Sequence, residues 1–281
     1  VQNFWRIVEK SLSLKMQLMD FVRLVEGKSN EARHQCVCDV LREWGIKYQI
    51  QPYETGTNIF YKPDSRLPYI GIGSHFDVVP RSPGANDNGS AIAVALYILK
   101  QSLEHSFKKF SVAFFCFDEE EVGLVGSDAY IQAFGVQDML ALYNLELVGQ
   151  GNKFALWSTN PSDKGKALET FEKVAKNKNI MSFRFDQIVT NLADHVTFRE
   201  AGMQDAFTIT CISDQDLEVA GEYYMAQAQN KGMDSLFKIL QKAPLFQHYH
   251  QPTDQSIYLS EETLQMTAQT LWETLLEMDR S

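Results

Sequence analysis

No stretch of this 281-residue sequence reaches about 18 consecutive apolar residues, the length a helix needs to cross a bilayer, so no membrane insertion is expected. Cysteine is scarce. The four present, Cys36, Cys38, Cys116 and Cys211, are too few for a disulfide framework in a chain this rich in core-forming residues. Cys36 and Cys38 share an expected helix and point to different faces, while Cys116 and Cys211 lie in apolar runs that suit buried thiols. There is no internal repeat, low-complexity tract or proline-rich linker to divide the chain. Basic charge is short as well: 26 Lys and Arg stand against 36 Asp and Glu, a net charge of −10. That sign argues against duplex nucleic acid or an anionic membrane as partner, and suits an acidic, metal-binding cleft. The first residue is Val1 rather than Met, so a soluble protein is expected either in the cytoplasm or exported with its leader removed. The oligomeric state is left open.

With 44% apolar residues, the chain can bury one sizeable core, and a single domain over residues 1–281 is the simplest expectation. Helical spacing from Phe4 to Leu41 gives two helices, broken and capped at Ser29 and Asn30. Short alternating segments, Lys47 to Gln51 and Asn58 to Tyr61, suggest strands at one side of a sheet. Three apolar runs, Tyr69 to Gly73, Phe110 to Phe117 and Ala141 to Val148, have the pattern of strands buried on both faces. A helix from Ser90 to Gln101 makes the first two a βαβ unit. Further strands are expected at Phe154 to Ser158 and Ala206 to Ile212, with helices at Asp163 to Asn177, Tyr223 to Gln241 and Ser260 to Met278. The fold class is therefore α/β, a three-layer α/β/α sandwich on a mainly parallel mixed sheet. Ligands of such sheets bind beyond the carboxyl ends of the strands.

Chemistry-bearing residues fall at those ends. In GIGSHFDVVP, His75 and Asp77 follow a buried strand with their side chains on one side. Asp77 can accept the proton of one imidazole nitrogen while the other binds a metal, or His75 is simply hydrogen-bonded at the strand end. In PGANDNGSAIAVALYILK, either Asn86, Asp87 or Asn88 caps the helix, or Asp87 keeps both oxygens free to bridge two cations. FSVAFFCFDEEEVGLVGS sets four acids together at a strand end, where they repel and raise one another's pKa values unless a cation or solvent intervenes. Gly123 and Gly126 let the backbone fold tightly behind them. In ALYNLELVG, Glu146 interrupts an apolar run, which calls for a buried salt bridge or a metal. Late segments NLADHVTFREAG and FQHYHQPTDQ supply His195, His248 and His250. Asp254 can orient His250, but residue logic alone does not separate His250 from His248.

Carboxylates and neutral imidazoles suit hard or borderline divalent cations, and two zinc ions sharing a carboxylate need about five protein ligands. Such a pair, about 3.5–4 Å apart, polarises a carbonyl and activates a water whose proton a free carboxylate takes.

From Tyr69 to Asp254 the chain resembles the zinc aminopeptidase family that includes glutamate carboxypeptidases and glutaminyl cyclases, the co-catalytic dizinc metallopeptidases with a phosphorylase/hydrolase-like architecture. The ordered signature is His-x-Asp after a strand, an Asp-Asn-x-Ser/Gly turn, Glu-Glu-x-Gly-Leu-x-Gly-Ser, a buried Asn-Leu-Asp-like strand, an Asp-His pair and a late His-x-x-x-Asp. All six segments are present in that order. The resemblance implies two Zn2+, or another divalent metal, held by His75, Asp87, Glu121, Glu146 and His250. Asp77 orients His75, Asp87 bridges, and Glu120 is the general base, with Glu119 an extra acid ahead of the pair. Asp194 and His195 match the Asp-His pair, which sits behind the ligands or faces substrate. Glu146 departs from the usual Asp of the aminopeptidases and matches related dizinc carboxypeptidases and deacylases.

The expected activity is that of a metallo-exopeptidase, an aminopeptidase acting on a peptide or dipeptide. A glutaminyl-peptide cyclotransferase is the second reading; it would need fewer ligands. The third is a non-catalytic binding domain, whose mark would be loss of the base or a ligand, and no such loss is seen. Residues Asp214 to Met225, with Tyr223 and Tyr224, are candidates to border the cleft or to form an exposed interaction patch.

Overall fold

The computed structural model describes residues 17–157, 159, 162–186 and 193–281. Two helices come first, α1 (Leu18–Val25) and α2 (Asn30–Glu43), and the Ser29 hydroxyl accepts the Ala32 N–H (3.3 Å) to cap the second. The part of the helical expectation that precedes residue 17 lies outside the described residues, as does Ser158. Strands β1 (Gln49–Pro52) and β2 (Thr57–Tyr61) lead to β3 (Tyr69–His75), helix α3 (Ala91–Leu103) and β4 (Ser111–Phe117). After these come α4 (Val125–Phe134), β5 (Met139–Leu145), β6 (Lys153–Trp157), α5 (Lys166–Asn177), β7 (Ser182–Phe185), α6 (His195–Glu200) and β8 (Ala206–Ile212). Helices α7 (Asp214–Ala228), α8 (Met233–Leu240) and α9 (Glu261–Arg280) complete the chain.

All eight strands form one sheet in the order β1-β2-β4-β3-β5-β8-β6-β7. Its centre, β4, β3, β5 and β8, is parallel; β2 joins antiparallel at one side and the β6-β7 pair at the other. The sandwich expected from the alternation of strands and helices is therefore found, with antiparallel margins on a parallel core. Helices α1, α3, α5 and α9 pack on one face. In α9 the buried Leu264, Ala268, Leu271 and Leu275 recur at helical spacing and form the stripe that faces this layer. On the opposite face, α4 and α6 enclose an aromatic cluster of Phe60, Phe115, Phe117, Tyr130 and Phe198, while α7 and α8 cover Trp157, Phe185 and Ile212.

Strand β8 shows how the second face makes room for a site. Phe207, Ile209 and Cys211 point into the first layer. On the other side Ala206 joins the aromatic cluster and Ile212 the α7-α8 cluster, leaving Thr208 and Thr210 between two apolar masses.

One expected helix is two. Instead of a single helix over Tyr223 to Gln241, α7 begins at Asp214, where Ser213 and Asp216 form a reciprocal capping box. It stops before Asn230, whose φ of 54° is left-handed, and α8 starts after Gly232. Segment Asp214 to Met225 is thus helical, and Tyr223 is buried in the α7-α8 cluster with Tyr224 packed on it. Helices α4 and α6 and strand β7 were not foreseen; each is short. Among the described residues no helix is long and apolar enough to cross a membrane.

The turn after β4 is fixed by close backbone approach. Gly126 N–H donates to Asp118 O (3.1 Å), and Asn58, fully buried on β2, donates to Gly126 O (2.7 Å) and accepts the Asp118 N–H (3.1 Å). A Cβ on Gly126 would lie only 2.2 Å from the Asp118 carbonyl oxygen. Gly126→Ala is expected to lower stability by about 1–3 kcal/mol, since backbone rather than a flexible side chain must yield. A urea titration measures it, and an unchanged midpoint at unchanged slope would remove this account of the turn.

Candidate metal centre

His75 ends β3, the acids follow β4, and Glu146 stands one residue past β5, so three neighbouring parallel strands deliver donors at their carboxyl ends. His75 Nδ1 lies 3.1 Å from Asp77 Oδ1, and Asp77 Oδ2 accepts the Glu121 N–H at 3.0 Å. One carboxylate therefore orients the imidazole and pins the acidic turn. The free nitrogen, His75 Nε2, faces Asp87 Oδ1 and Glu146 Oε2, each at 3.4 Å, and Glu120 Oε2 at 3.9 Å.

Asp87 lies in the wholly buried turn Ala85–Ser90, and its peptide bond to Asn88 is cis. The Asp87 oxygens face His75 and His250, and Ser90, at the start of α3, makes no side-chain capping bond. The turn's polar groups are tied to the chain that follows β5. Asn88 Nδ2 donates to Leu145 O (2.9 Å), Asn86 Oδ1 accepts from Gly149 N (2.9 Å), and Ser90 Oγ accepts from Val148 N (3.0 Å). The Asp254 carboxylate accepts the N–H groups of Asn86 (2.8 Å) and Asp87 (3.0 Å). The expected part of Asp254, orienting His250, is thus corrected: its oxygens hold the turn that carries Asp87.

His250, at a left-handed φ of 57°, points Nε2 at Glu121 Oε2 (2.8 Å) and Asp87 Oδ2 (3.3 Å). His248 does not reach the cluster; its ring stacks on Tyr258 and its Nδ1 meets Thr253 Oγ1 at 2.9 Å. Of the four acids after β4, Asp118 accepts the Thr57 N–H and Glu119 the Thr55 hydroxyl, while Glu120 and Glu121 turn to the histidines.

Burying these groups together perturbs all of them. Burial pushes Glu120 well above the ordinary carboxylate range and Glu146 up to about 7, the His75 imidazole opposing both. Burial also acts to lower His75, but Glu146 and Glu120, with the bonds to Asp77 and Asp87, hold it well above its usual value. His250 is likewise carried against its burial, up to about 9, by Asp87 and Glu121. Asp87 moves the other way: burial would raise it, yet His250 and His75 keep it below the usual range. At each of these groups burial and a close opposite charge thus pull in opposite directions.

The donors fit a metal. All are imidazole nitrogens or carboxylate oxygens, and Glu121 Oε1, Glu146 Oε1 and His250 Nε2 are buried with no hydrogen-bond partner, although His250 Nε2 is close to two carboxylates. Donor atoms of His75, Asp87 and Glu121 lie within 4.8 Å of one another, as do those of His75, Glu120 and Glu146. The shortest separations group them differently: His75 and Glu146 with Asp87 Oδ1, His250 and Glu121 with Asp87 Oδ2. In this grouping each Asp87 oxygen serves one imidazole.

A cleft opens over the cluster, lined by Asp87, Glu120 and Glu146 and by Leu147, Trp157, Thr208, Leu245, Phe246 and Tyr249. Tyr249 stacks on the His250 ring at 3.7 Å. The lining aromatics escaped the sequence reading, although Tyr249 stands next to His250; Arg33, fully buried, gave no signal there.

The chain belongs to Peptidase family M28, whose profile matches residues 59–275. It is 28% identical over 220 residues to a vacuolar membrane protease of Candida glabrata, covering 75% of this chain and 21% of that protein. It is 30% identical over 143 residues to aminopeptidase YwaD of Bacillus subtilis, covering 49% of this chain and 31% of that one. The chain thus spans about a fifth to a third of the length of these relatives. In fold it is similar to the LapA aminopeptidase of Legionella pneumophila (TM-score 0.68, 16% identity, 100% of this chain and 70% of that one). It is similar also to the glutaminyl cyclase of Porphyromonas gingivalis (TM-score 0.68, 17% identity, 93% of this chain and 97% of that one).

Behind the cleft runs a buried polar chain. Asn144 Nδ2 donates to Thr208 Oγ1 (3.0 Å), which meets His195 Nδ1 at 2.7 Å. Burial, with the nearby Arg199 charge, pushes His195 down to about 3, so the folded protein keeps this ring neutral. The unfolded chain takes up a proton near pH 6.5, so stability is full above that pH and falls as pH drops toward 3, by about 1.4 kcal/mol per unit at most. His195→Asn is expected to flatten the stability profile between pH 6.5 and 4 by roughly that slope. Denaturant titrations at several pH values read it, and an unaltered slope would mean that His195 is not held neutral.

Proposed function

We propose that the chain is a zinc-dependent exopeptidase, an aminopeptidase that hydrolyses the terminal peptide bond of a peptide or dipeptide. His75, Asp87 and Glu146 would hold one zinc, and His250, Asp87 and Glu121 the other. The observation that carries this reading is the Asp87 carboxylate, whose two oxygens face two different imidazoles, each with its own second carboxylate. Zinc bound by these residues would supply Lewis acidity toward the scissile carbonyl and the attacking water.

The remaining work falls to side chains. Glu120 lines the cleft and lies farther from His75 Nε2, at 3.9 Å, than Asp87 and Glu146, each at 3.4 Å. It takes the proton from water and returns it to the departing amine. Asp77 keeps the His75 ring oriented with its Nε2 toward the cluster. Leu147, Trp157, Leu245 and Phe246 support a bulky apolar side chain on the residue released, and the acidic floor suits a free α-amino group. A single sheet through the described residues supports one catalytic domain.

The fold shared with a glutaminyl cyclase keeps cyclisation of an amino-terminal glutamine as the second reading. Metal analysis and assays on free-amine and N-blocked substrates separate the two. The peptidase is expected to hold two zinc equivalents and to require a free amine. One equivalent with glutamine cyclisation would replace it by the cyclase, and no zinc uptake would remove both. Glu120→Gln is expected to retain both equivalents and to lose about 10²–10⁴-fold in turnover, whereas Glu146→Ala is expected to lose one equivalent. Full activity in the first variant, or unchanged stoichiometry in the second, would overturn that residue's role.

A further inference from the structure

We propose that Arg33 is a positioning residue for the metal centre: from outside the family-matched segment, it sets the spacing of His75 and Asp87 by clamping the loop that joins them. The inference rests on the zinc reading of that centre. Arg33 is in the second turn of α2, completely buried, and the family match begins only at residue 59. Its Nε donates to Phe76 O at 2.6 Å, the carbonyl between His75 and Asp77. Its Nη1 donates to Gly84 O (3.1 Å) and Pro83 O (3.4 Å), where the chain enters the Asp87 turn, and to Val25 O (3.2 Å) at the end of α1. One rigid fork thus grips both ends of the segment between the two proposed ligands.

Other contacts show that the grip is built for this loop. Asn30 Oδ1, one turn earlier on α2, accepts the Val78 N–H at 3.1 Å, and the His34 ring packs edge-on against Phe76. Gly84 has a left-handed φ of 66°, and a Cβ there would come within 2.7 Å of Arg33 Nη1. The guanidinium forms no ion pair within 4.0 Å among the described residues, and its Nη2 is buried without a partner. Burying a cation this way is expensive for stability alone. Among the charges that act on it are those of Asp87, Asp254 and Asp77. Arg33 therefore also supplies a fixed positive charge to these acids without using up a ligand atom.

A lysine keeps the charge but loses the planar fork in which Nε serves Phe76 O and Nη1 serves Gly84 O. In the full chain, Arg33→Lys is expected to bind zinc about 10–100-fold more weakly in competition with a chelator, the usual cost of losing a group that orients ligands. A role confined to folding would lower the melting temperature of the metal-free protein and leave the zinc affinity of the folded protein at the parental value; that result would overturn the proposal. Should Arg33→Lys fail to fold, Asn30→Ala carries the test, with about 2–10-fold weaker zinc binding expected for one lost hydrogen bond to the same loop, and parental affinity again overturning it. A parent that takes up no zinc would overturn the metal centre and this inference together, whereas a parent that binds zinc no better than its variants overturns this inference alone.

Discussion

Mutual repulsion among buried carboxylates is the constraint around which the molecule is arranged. Asp77 and Asp87 are buried, Glu120 nearly so, and Glu121 and Glu146 stand beside them with oxygens that have no hydrogen-bond partner. In a low-dielectric interior such a group is unfavourable unless cationic charge balances it. Two imidazoles reach the acids directly and one guanidinium adds its charge. Much of the polar surrounding is engaged in holding backbone: Asn58, Asn86, Asn88, Ser90 and Asp254 all bond main-chain groups.

The sheet makes that concentration possible. Parallel strands end together, so β3, β4 and β5 each release their chain at the same margin, and side-chain alternation then selects which residues face the cleft. The apolar clusters on either side of Thr208 and Thr210 make a rigid frame with a narrow polar floor. Helix α7 is anchored to the far wall, because Asp216, which closes its capping box, also accepts the Leu245 N–H at 2.8 Å. The same carboxylate thus starts a helix and positions the segment that leads to His250.

Much of this was legible in the sequence because it is written in local patterns. The buried strands show as apolar runs, the acids after Phe117 as a charged cluster where charge is costly, and Glu146 as one carboxylate in an apolar strand. The choice of His250 over His248 came from a family resemblance and its spacing to Asp254; in the structure His250 faces the acids and His248 stacks on Tyr258. What was not legible depends on distant partners. Asp254 has a spacing that suits His250, yet its bonds go to amides 167 and 168 residues away. Arg33 looks like any charged residue on a helix, and nothing nearby in sequence signals that four carbonyls will surround it. The break between α7 and α8 was missed because apolar spacing continues across it, while Asn230 and Gly232 turn the backbone.

The link between Asp254 and the Asp87 turn also bears on how the protein is made. As a ribosome releases the chain, His75, Asp87, Glu121 and Glu146 emerge long before His250 and the carboxylate that steadies the turn. The parallel core can assemble on its own strands, but the cluster cannot close until the final loop has been synthesised. A nascent chain is therefore a scaffold that already carries most of its cluster, and the last imidazole joins it only when the bulk of the fold can form around the newly made polypeptide.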